Sequence, residues 1–179
     1  MTFQSFLLLI TTAFVALPTS VSKAAEPAKP TLVDVQRIWD KAPHNAFTDL
    51  IRHKDLWYCV FREGSAHVSP DGSLRVITSV DGKQWSSKAL ISSATNDLRD
   101  AKITVTPQGK LLLNGAGMIA DAKIRYQSLS WLSSDDGATW DNGHIIGHPG
   151  FWLWRVQWHN NLAYTFGYST ERDRTTRRL

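Results

Sequence analysis

Cysteine is almost absent from this sequence, in which Cys59 is the only one. A single thiol cannot form an internal disulfide, so a protein of this kind in an oxidising compartment must be stabilised by packing alone. Cys59 lies within the apolar segment Trp57–Phe61, where a buried and inert thiol is favoured over a nucleophile.

Motifs for phosphate binding, serine hydrolysis and metal binding are also missing. The chain has no Gly-rich phosphate loop and no Gly-x-Ser-x-Gly segment. His144 and His148 stand four residues apart, but Gly143, Gly147 and Pro149 preclude the helix that would place both imidazoles on one face. We therefore predict neither a metal site nor a bound cofactor.

An excess of one charge is lacking as well. Lys and Arg number 20 and Asp and Glu number 16, which gives a formal net charge of +4. This charge is too small and too dispersed to indicate binding to nucleic acid. The local exception is a group of arginines near the C-terminus, for which a solvated end is favoured because no aromatic residue is interleaved with them: Arg172, Arg174, Arg177 and Arg178.

A long apolar run occurs at the N-terminus, where Phe6–Leu17 is followed by small residues up to Ala24. The run is short for a membrane span and is typical of a secretory signal peptide, so we predict cleavage after residues 1–24 and a secreted or periplasmic protein. An uncleaved anchor stays open, because Met1–Ser5 carry no Lys or Arg. Residues 25–43 would be a lead-in, with a possible edge strand between Thr31 and Trp39.

A tight-turn motif is the most specific feature that is present. Ser133–Trp140 reads Ser-Ser-Asp-Asp-Gly-Ala-Thr-Trp, and such Asp and Gly residues predict a hairpin tip before a new strand. A degenerate copy lies at Thr78–Trp85, with Val80 in the place of the first Asp and Asp81 one position later. Trp85 and Trp140 are 140 − 85 = 55 residues apart, which indicates a repeat of that length.

Strand patterns surround each of these turns. Alternating β-branched and aromatic residues predict four strands in residues 44–92 and four more in 97–147, and a third unit opens at 151–179. Repeated four-stranded units with a shared tryptophan predict an all-β chain, specifically a β-propeller of antiparallel blades with about two and a half blades present. A sandwich of short strands is the alternative fold.

The Ser-x-Asp-x-Gly-x-Thr-Trp pattern resembles the Asp-box, or BNR repeat, of the sialidase (neuraminidase) superfamily. Residues 44–168 look like the N-terminal half of a six-bladed exo-α-sialidase-like propeller. Six blades need roughly 300 residues, whereas 179 − 24 = 155 remain after signal removal. The resemblance implies a glycoside hydrolase fragment that recognises acidic sugars and, without the nucleophilic Tyr of later blades, is inactive alone. Its open blade edges would invite self-association.

The resemblance also implies where the site residues lie, since inner strands and the loops at one face line the site in that family. Arg99 and Arg155 stand 14 and 15 residues after the repeat tryptophans, and two such guanidinium groups could clamp one carboxylate. The alternative is that Arg99 pairs locally with Asp97 or Asp100. We name Arg99 and Arg155 as substrate-binding residues and Asp100 as a catalytic candidate.

The loop after the second strand supplies the other candidates. Arg62 and Glu63 end an apolar strand and enter a segment that is rich in Gly, Ser and His, as substrate loops often do. Glu63 or Asp71 would be the catalytic acid, with Arg62 and His67 in contact with substrate. The alternatives are purely structural roles: an ion pair between Arg62 and Glu63, and an ordinary Pro-Asp-Gly turn at Asp71.

Two other functional classes stay open. A non-catalytic propeller could bind glycans or a protein through an aromatic, Arg-bearing face, on which Trp152, Trp154 and Trp158 could stack against sugar rings. Core packing is the alternative role of these three side chains. Another glycosidase or lyase on the same scaffold is also possible, because fold does not determine chemistry.

Overall fold

The computed structural model describes residues 29–119 and 126–170, and every regular element in these ranges is a β-strand. The all-β prediction is therefore confirmed. The predicted signal peptide and the C-terminal arginines lie outside the described residues. The chain divides into two compact parts, Met1–Val35 and Gln36–Leu179. In the first part, residues 29–35 are exposed and form no strand.

Eight strands form two separate sheets of the same design. In each sheet the strands are antiparallel and follow chain order, so each sheet is a four-stranded meander. The first meander contains β1 (His44–His53), β2 (Leu56–Gly64), β3 (Ser73–Ser79) and β4 (Ser86–Ile91), and the second contains β5 (Asn96–Val105), β6 (Leu111–Ile119), β7 (Tyr126–Ser133) and β8 (His144–Ile146).

The third unit is a hairpin that follows the two meanders, and we call it the third hairpin. It contains β9 (Phe151–Leu153), β10 (Gln157–His159), β11 (Leu162–Tyr164) and β12 (Gly167–Ser169), in which β9 pairs with β12 and β10 with β11. The first strand of this unit is therefore interrupted between β9 and β10.

The same irregularity recurs in the first strand of all three units. The register of β1 against β2 shifts between Ala46 and Asp49, and that of β5 against β6 shifts between Arg99 and Lys102. In the third hairpin the pairs Leu153–Gly167 and Gln157–Tyr164 differ by one residue in register. A β-bulge sharpens the local twist and redirects side chains, so the bulge places comparable residues of the three units in comparable positions.

The two meanders share one apolar core. The strands β1, β2 and β3 pack against β5, and side chains from both sheets interdigitate between them. Because both sheets contribute alternate side chains to this layer, each is stabilised by the other rather than by its own hairpins. The buried members are Tyr58, Val60, Leu74, Val76, Ile91, Leu98, Ala101, Ile103, Leu111, Leu113 and Trp131.

The opposite face of the first meander is covered by the lead-in. Ile38 and Trp39 pack against Cys59, Phe61 and Ile77. The edge strand that we expected between Thr31 and Trp39 is wrong, since residues 29–40 carry no strand. The side chains of Ile38 and Trp39 are held by packing, without a ladder of backbone hydrogen bonds.

The two turns that the sequence singled out have one hydrogen-bonding pattern. In each, the serine hydroxyl donates to the Asp carboxylate, at 3.0 and 2.8 Å, and accepts the glycine amide, at 2.8 and 2.9 Å. The indole N–H then donates to the glycine carbonyl. Asp81 therefore fills the place that we assigned to Val80, and the first turn is one residue shorter. The equivalent residues are Ser79 and Ser133, Asp81 and Asp135, Gly82 and Gly137, and Trp85 and Trp140.

Candidate functional site

The first strands of the three units meet at Asp49 of β1. One carboxylate oxygen of Asp49 accepts the backbone N–H of Ile103 in β5 at 3.0 Å. The other lies 3.3 Å from Nη1 of Arg155, whose Nη2 donates to the Ile103 carbonyl at 3.3 Å. A part-buried carboxylate that accepts a backbone N–H and pairs with a guanidinium is well compensated. Asp49 therefore connects β1, β5 and the third hairpin. We call the first strands of the three units, which are β1, β5 and the interrupted strand β9–β10, the inner strands.

A buried ion triad lies at the beginning of β5. Asp97, with a side chain 1% exposed, accepts from Nε and Nη2 of Arg62 through Oδ1, at 3.1 and 2.8 Å. Its Oδ2 accepts from Nε and Nη2 of Arg99, at 2.8 and 2.5 Å. Two guanidinium groups thus share one carboxylate, so the triad keeps one net positive charge. Gly72 passes so close that a Cβ there would overlap Asp97.

Arg62 is not placed to bind substrate, contrary to our prediction. Its side chain is 0% exposed, and its remaining N–H groups donate to the carbonyl of Ala66 and to the carbonyl and hydroxyl of Ser69. The guanidinium therefore holds the β2–β3 loop in shape instead of facing solvent. The sequence signal that could have shown this is the unbroken apolar run before it, which indicates a strand covered on both faces.

Arg99 is the more accessible arginine of the triad. Asp97 holds its Nε and Nη2, as the local-pairing alternative proposed, whereas no hydrogen bond from the described part of the chain engages its Nη1. A fixed guanidinium with one open donor can bind an anion with little loss of side-chain entropy. A cavity of about 350 Å³ adjoins the same carboxylate, lined in part by Ser69, Asn96 and Asp97.

Glu63 is not placed as a catalytic acid. Its Oε1 accepts the indole N–H of Trp39 at 2.6 Å, and its Oε2 pairs with Arg75 at 2.8 Å. The Arg75 guanidinium also lies over the Trp39 ring, 5.5 Å from its centroid. Glu63 therefore fastens the lead-in to the first meander, and its partner is Arg75 rather than Arg62.

Asp71 closes its own loop. Its carboxylate accepts the amide and the hydroxyl of Ser65, at 2.9 and 3.0 Å. The Ser69 hydroxyl, and then the Ser65 hydroxyl and amide, hold the pKa of Asp71 below its ordinary value. A general acid needs a raised pKa, so this environment opposes the catalytic role that we predicted and supports the turn alternative.

His67 lies at the surface in a small aromatic group. Its ring meets those of His44 and Phe47 edge-on, with centroids 5.4 and 5.5 Å apart. Phe47 stands in the β1 bulge with φ = 61°, a conformation that is uncommon for a bulky residue. His67 is thus near the inner strand β1, where the resemblance implied a substrate contact.

Asp100 and Arg155 occupy matching places, whereas Arg99 and Arg155 do not. Asp100 follows Arg99 in the β5 bulge with φ = 51°. The amide of Trp154 bonds to Phe166, so Trp154 aligns with Arg99 and Arg155 with Asp100. Arg99 and Arg155 stand 14 and 15 residues after the equivalent residues Trp85 and Trp140, and this difference of one residue separates their places in the two units.

Four aromatic rings form a cluster on the third hairpin and β7, and sequence reasoning missed two of them, Tyr126 and Tyr168. The ring centroid of Trp152 lies 5.2 Å from that of Tyr126 and 6.4 Å from that of Tyr168, on which it stacks. The centroids of Trp154 and Tyr168 are 6.2 Å apart. Tyr168 is the cross-strand partner of Trp152, so only the hairpin register reveals the pairing. Burial, then the negative charge of Asp100, and then Tyr126 raise the pKa of Tyr168 above its ordinary value.

Neither a group of metal ligands nor a membrane-spanning helix occurs in the part of the chain that the structure describes. Within residues 29–119 and 126–170 no three His, Cys, Asp or Glu side chains are grouped as a metal would require. The same ranges hold no helix of the length and apolar character needed to cross a bilayer.

The comparison with known structures identifies a shared fold. The chain is similar to a solved protein of unknown function from Dyadobacter fermentans DSM 18053, with 18% identity and a TM-score of 0.55. The match covers 69% of this chain and 46% of the other, so this chain spans less than half of that protein. No protein-family model and no curated protein matches.

Proposed function

We propose that this chain is part of a secreted, sialidase-like β-propeller that recognises acidic sugars and does not hydrolyse them alone. The repeated bulge in three successive first strands carries the proposal. In a propeller the first strands of the blades surround one axis, so residues at their bulges face a common ligand. Asp49, which touches both β5 and Arg155, supports such an arrangement.

Arg99 and Arg155 are the anion-binding residues in this proposal. In Arg99, Asp97 binds Nε and Nη2, and Nη1 makes no hydrogen bond with the described residues. Arg155 is partly exposed and pairs with Asp49 of β1. Guanidinium groups pair with carboxylates through directional, charge-assisted hydrogen bonds. A sugar that carries a carboxylate therefore suits this pair of donors better than a neutral sugar does.

The absence of hydrolysis rests on the state of the candidate acids. Two of the three candidate acids, Glu63 and Asp71, are occupied by structural partners. A binding role, in which the chain holds a glycan without cleaving it, is the function that these contacts favour.

Titration of the purified chain with methyl α-N-acetylneuraminide, followed by NMR, tests the proposal. We expect saturable binding that weakens by roughly tenfold in Arg155→Gln, since one charged hydrogen bond contributes about 1.5–3 kcal/mol. Arg52→Gln is the matched control, because Arg52 lies over Trp57, at 5.2 Å, at the turn end of β1 and not at its bulge. Absence of saturable binding, or an equal loss in both variants, would refute the arginine site.

A fluorogenic sialoside tests the second half of the proposal. We expect no turnover above the buffer rate by the purified chain. Clear turnover that survives further purification would show that this chain already includes a working acid and nucleophile.

A further inference from the structure

We propose that Trp154 and Tyr168 form a stacking platform for a neutral hexopyranose ring, with Asp100 and Lys102 as partners for its hydroxyl groups. This inference deepens the proposed function, because it places a second class of sugar next to the acidic one. Asp100 follows Arg99 in the chain and Trp154 precedes Arg155, so the two contacts adjoin on the same inner strands.

The platform consists of two exposed rings on a buried support. Trp154 is 44% exposed and Tyr168 46%, with their centroids 6.2 Å apart. Beneath them Trp152, 9% exposed, stacks on Tyr168 with an interplanar angle of 9° and contacts Tyr126. Rings held in this way lose little entropy when a ligand binds, which is a feature of good contact residues.

Two residues of opposite charge border the platform. The Lys102 ammonium lies over the Trp154 ring, 5.9 Å from its centroid, and so stands on one side of that ring. Asp100 lies in the β5 bulge, and its negative charge adds to burial in raising the pKa of Tyr168. A carboxylate accepts hydrogen bonds from sugar hydroxyls, and an ammonium donates to their oxygens.

The chemistry of this surface fits a neutral sugar. One face of a hexopyranose presents C–H groups with partial positive charge, which complements the negative face of an aromatic ring. The charges of Asp100 and Lys102 cancel, so the platform has no net attraction for a polyanion such as nucleic acid. A purely apolar partner would leave both charges without partners, at a cost in desolvation.

Titration of the purified chain with methyl β-D-galactopyranoside and methyl β-D-glucopyranoside, read by tryptophan fluorescence and by NMR, tests the inference. We expect saturable binding of at least one of the two, with shifts at Trp154 and Tyr168. Trp154→Ala should weaken it by roughly tenfold, since loss of one stacking ring is worth about one decade in affinity.

Three further variants separate recognition from folding. Asp100→Asn keeps a residue that tolerates the positive φ, so its expected loss of several-fold reports the carboxylate. Tyr168→Leu removes the second ring and should also weaken binding. Phe166→Ala is the matched control, since this side chain is 87% exposed on the same hairpin and lies outside the ring contacts. Circular dichroism and urea unfolding confirm that each variant is folded.

Several outcomes would overturn the inference. These are the absence of saturation by either glycoside, equal affinity in Trp154→Ala and the parent, or a loss in Phe166→Ala as large as in Trp154→Ala. Light scattering that shows a dimer dissociated by Trp154→Ala would assign the platform to self-association instead. Neutral-sugar binding that persists in Arg155→Gln, with no binding of the acidic glycoside, would support the platform and refute only the arginine site.

Discussion

Replacing Asp97 by Asn should destabilise the protein more than any other single exchange of a charged residue in the site. The Asp97 carboxylate accepts four N–H groups from Arg62 and Arg99, and its side chain is 1% exposed. Removing one partner of a buried ion pair costs about 3–5 kcal/mol, because the remaining charge is left uncompensated. In Asp97→Asn two guanidinium groups lose that compensation, although the amide oxygen keeps part of the hydrogen bonding.

The size of this effect can be measured by urea unfolding followed by fluorescence and circular dichroism. A domain of this size has a free energy of unfolding of about 5–15 kcal/mol, so a loss of about 3–5 kcal/mol is a large share. It corresponds to a fall in Tm of roughly 6–20 °C. Asp136→Asn is the matched control, because Asp136 pairs with Lys54 at the surface and its loss should change stability little.

A double variant decides whether buried charge is the cause. Arg62→Met combined with Asp97→Asn removes one of the two uncompensated guanidinium groups. We expect the double variant to be more stable than the sum of the single changes predicts, since residues in one network are not additive. If Asp97→Asn lies within about 1 kcal/mol of the parent, the triad does not carry the stability that we assign to it.

Three shorter predictions concern other contacts. The hydroxyl and then the amide of Thr139 lower the pKa of Asp135 to about 2. The ionised form of Asp135 therefore stabilises the fold above about pH 4, and this stability is lost as the pH falls towards 2. Asp135→Asn should abolish the contribution of this residue to the pH dependence of thermal unfolding. Burial raises the pKa of Cys59 to about 11, so Ellman's reagent at pH 8 should react with it only after unfolding in urea. Gly72→Ala should destabilise the fold more than Gly109→Ala, which meets no atom within 4 Å and costs about 1 kcal/mol through its positive φ, as urea titration would show.

The strands could be predicted from the sequence because their signals are local. Alternating β-branched and aromatic residues decide which face of a strand is buried, and Asp-Gly pairs decide where it turns. The strand β8 is shorter than expected for an equally local reason. Gly143 takes φ = 77°, and β8 begins only after it, at His144.

The site could be predicted only in part, because its contacts cross between units. Arg62 and Asp97 are 35 residues apart, and Asp49 and Arg155 more than 100, so no spacing rule connects them. The pairing between Asp97 and Arg99 could be predicted from the sequence, because the two residues are close in the chain. The second arginine on the same carboxylate could not, since it depends on how the β2–β3 loop folds over β5.

The charge balance of the inner strands also bears on ligand choice. Arg62, Arg99 and Arg155 are each paired with a carboxylate, from Asp97 or Asp49. An arginine cluster of this kind exerts a weaker net attraction on anions than three free guanidinium groups would. Discrimination between ligands must therefore come from the few arginine N–H groups that have no partner among the described residues, and from the shape of the surface around them. A neutral ring on Trp154 and Tyr168 would add the contact area that the paired arginines lack.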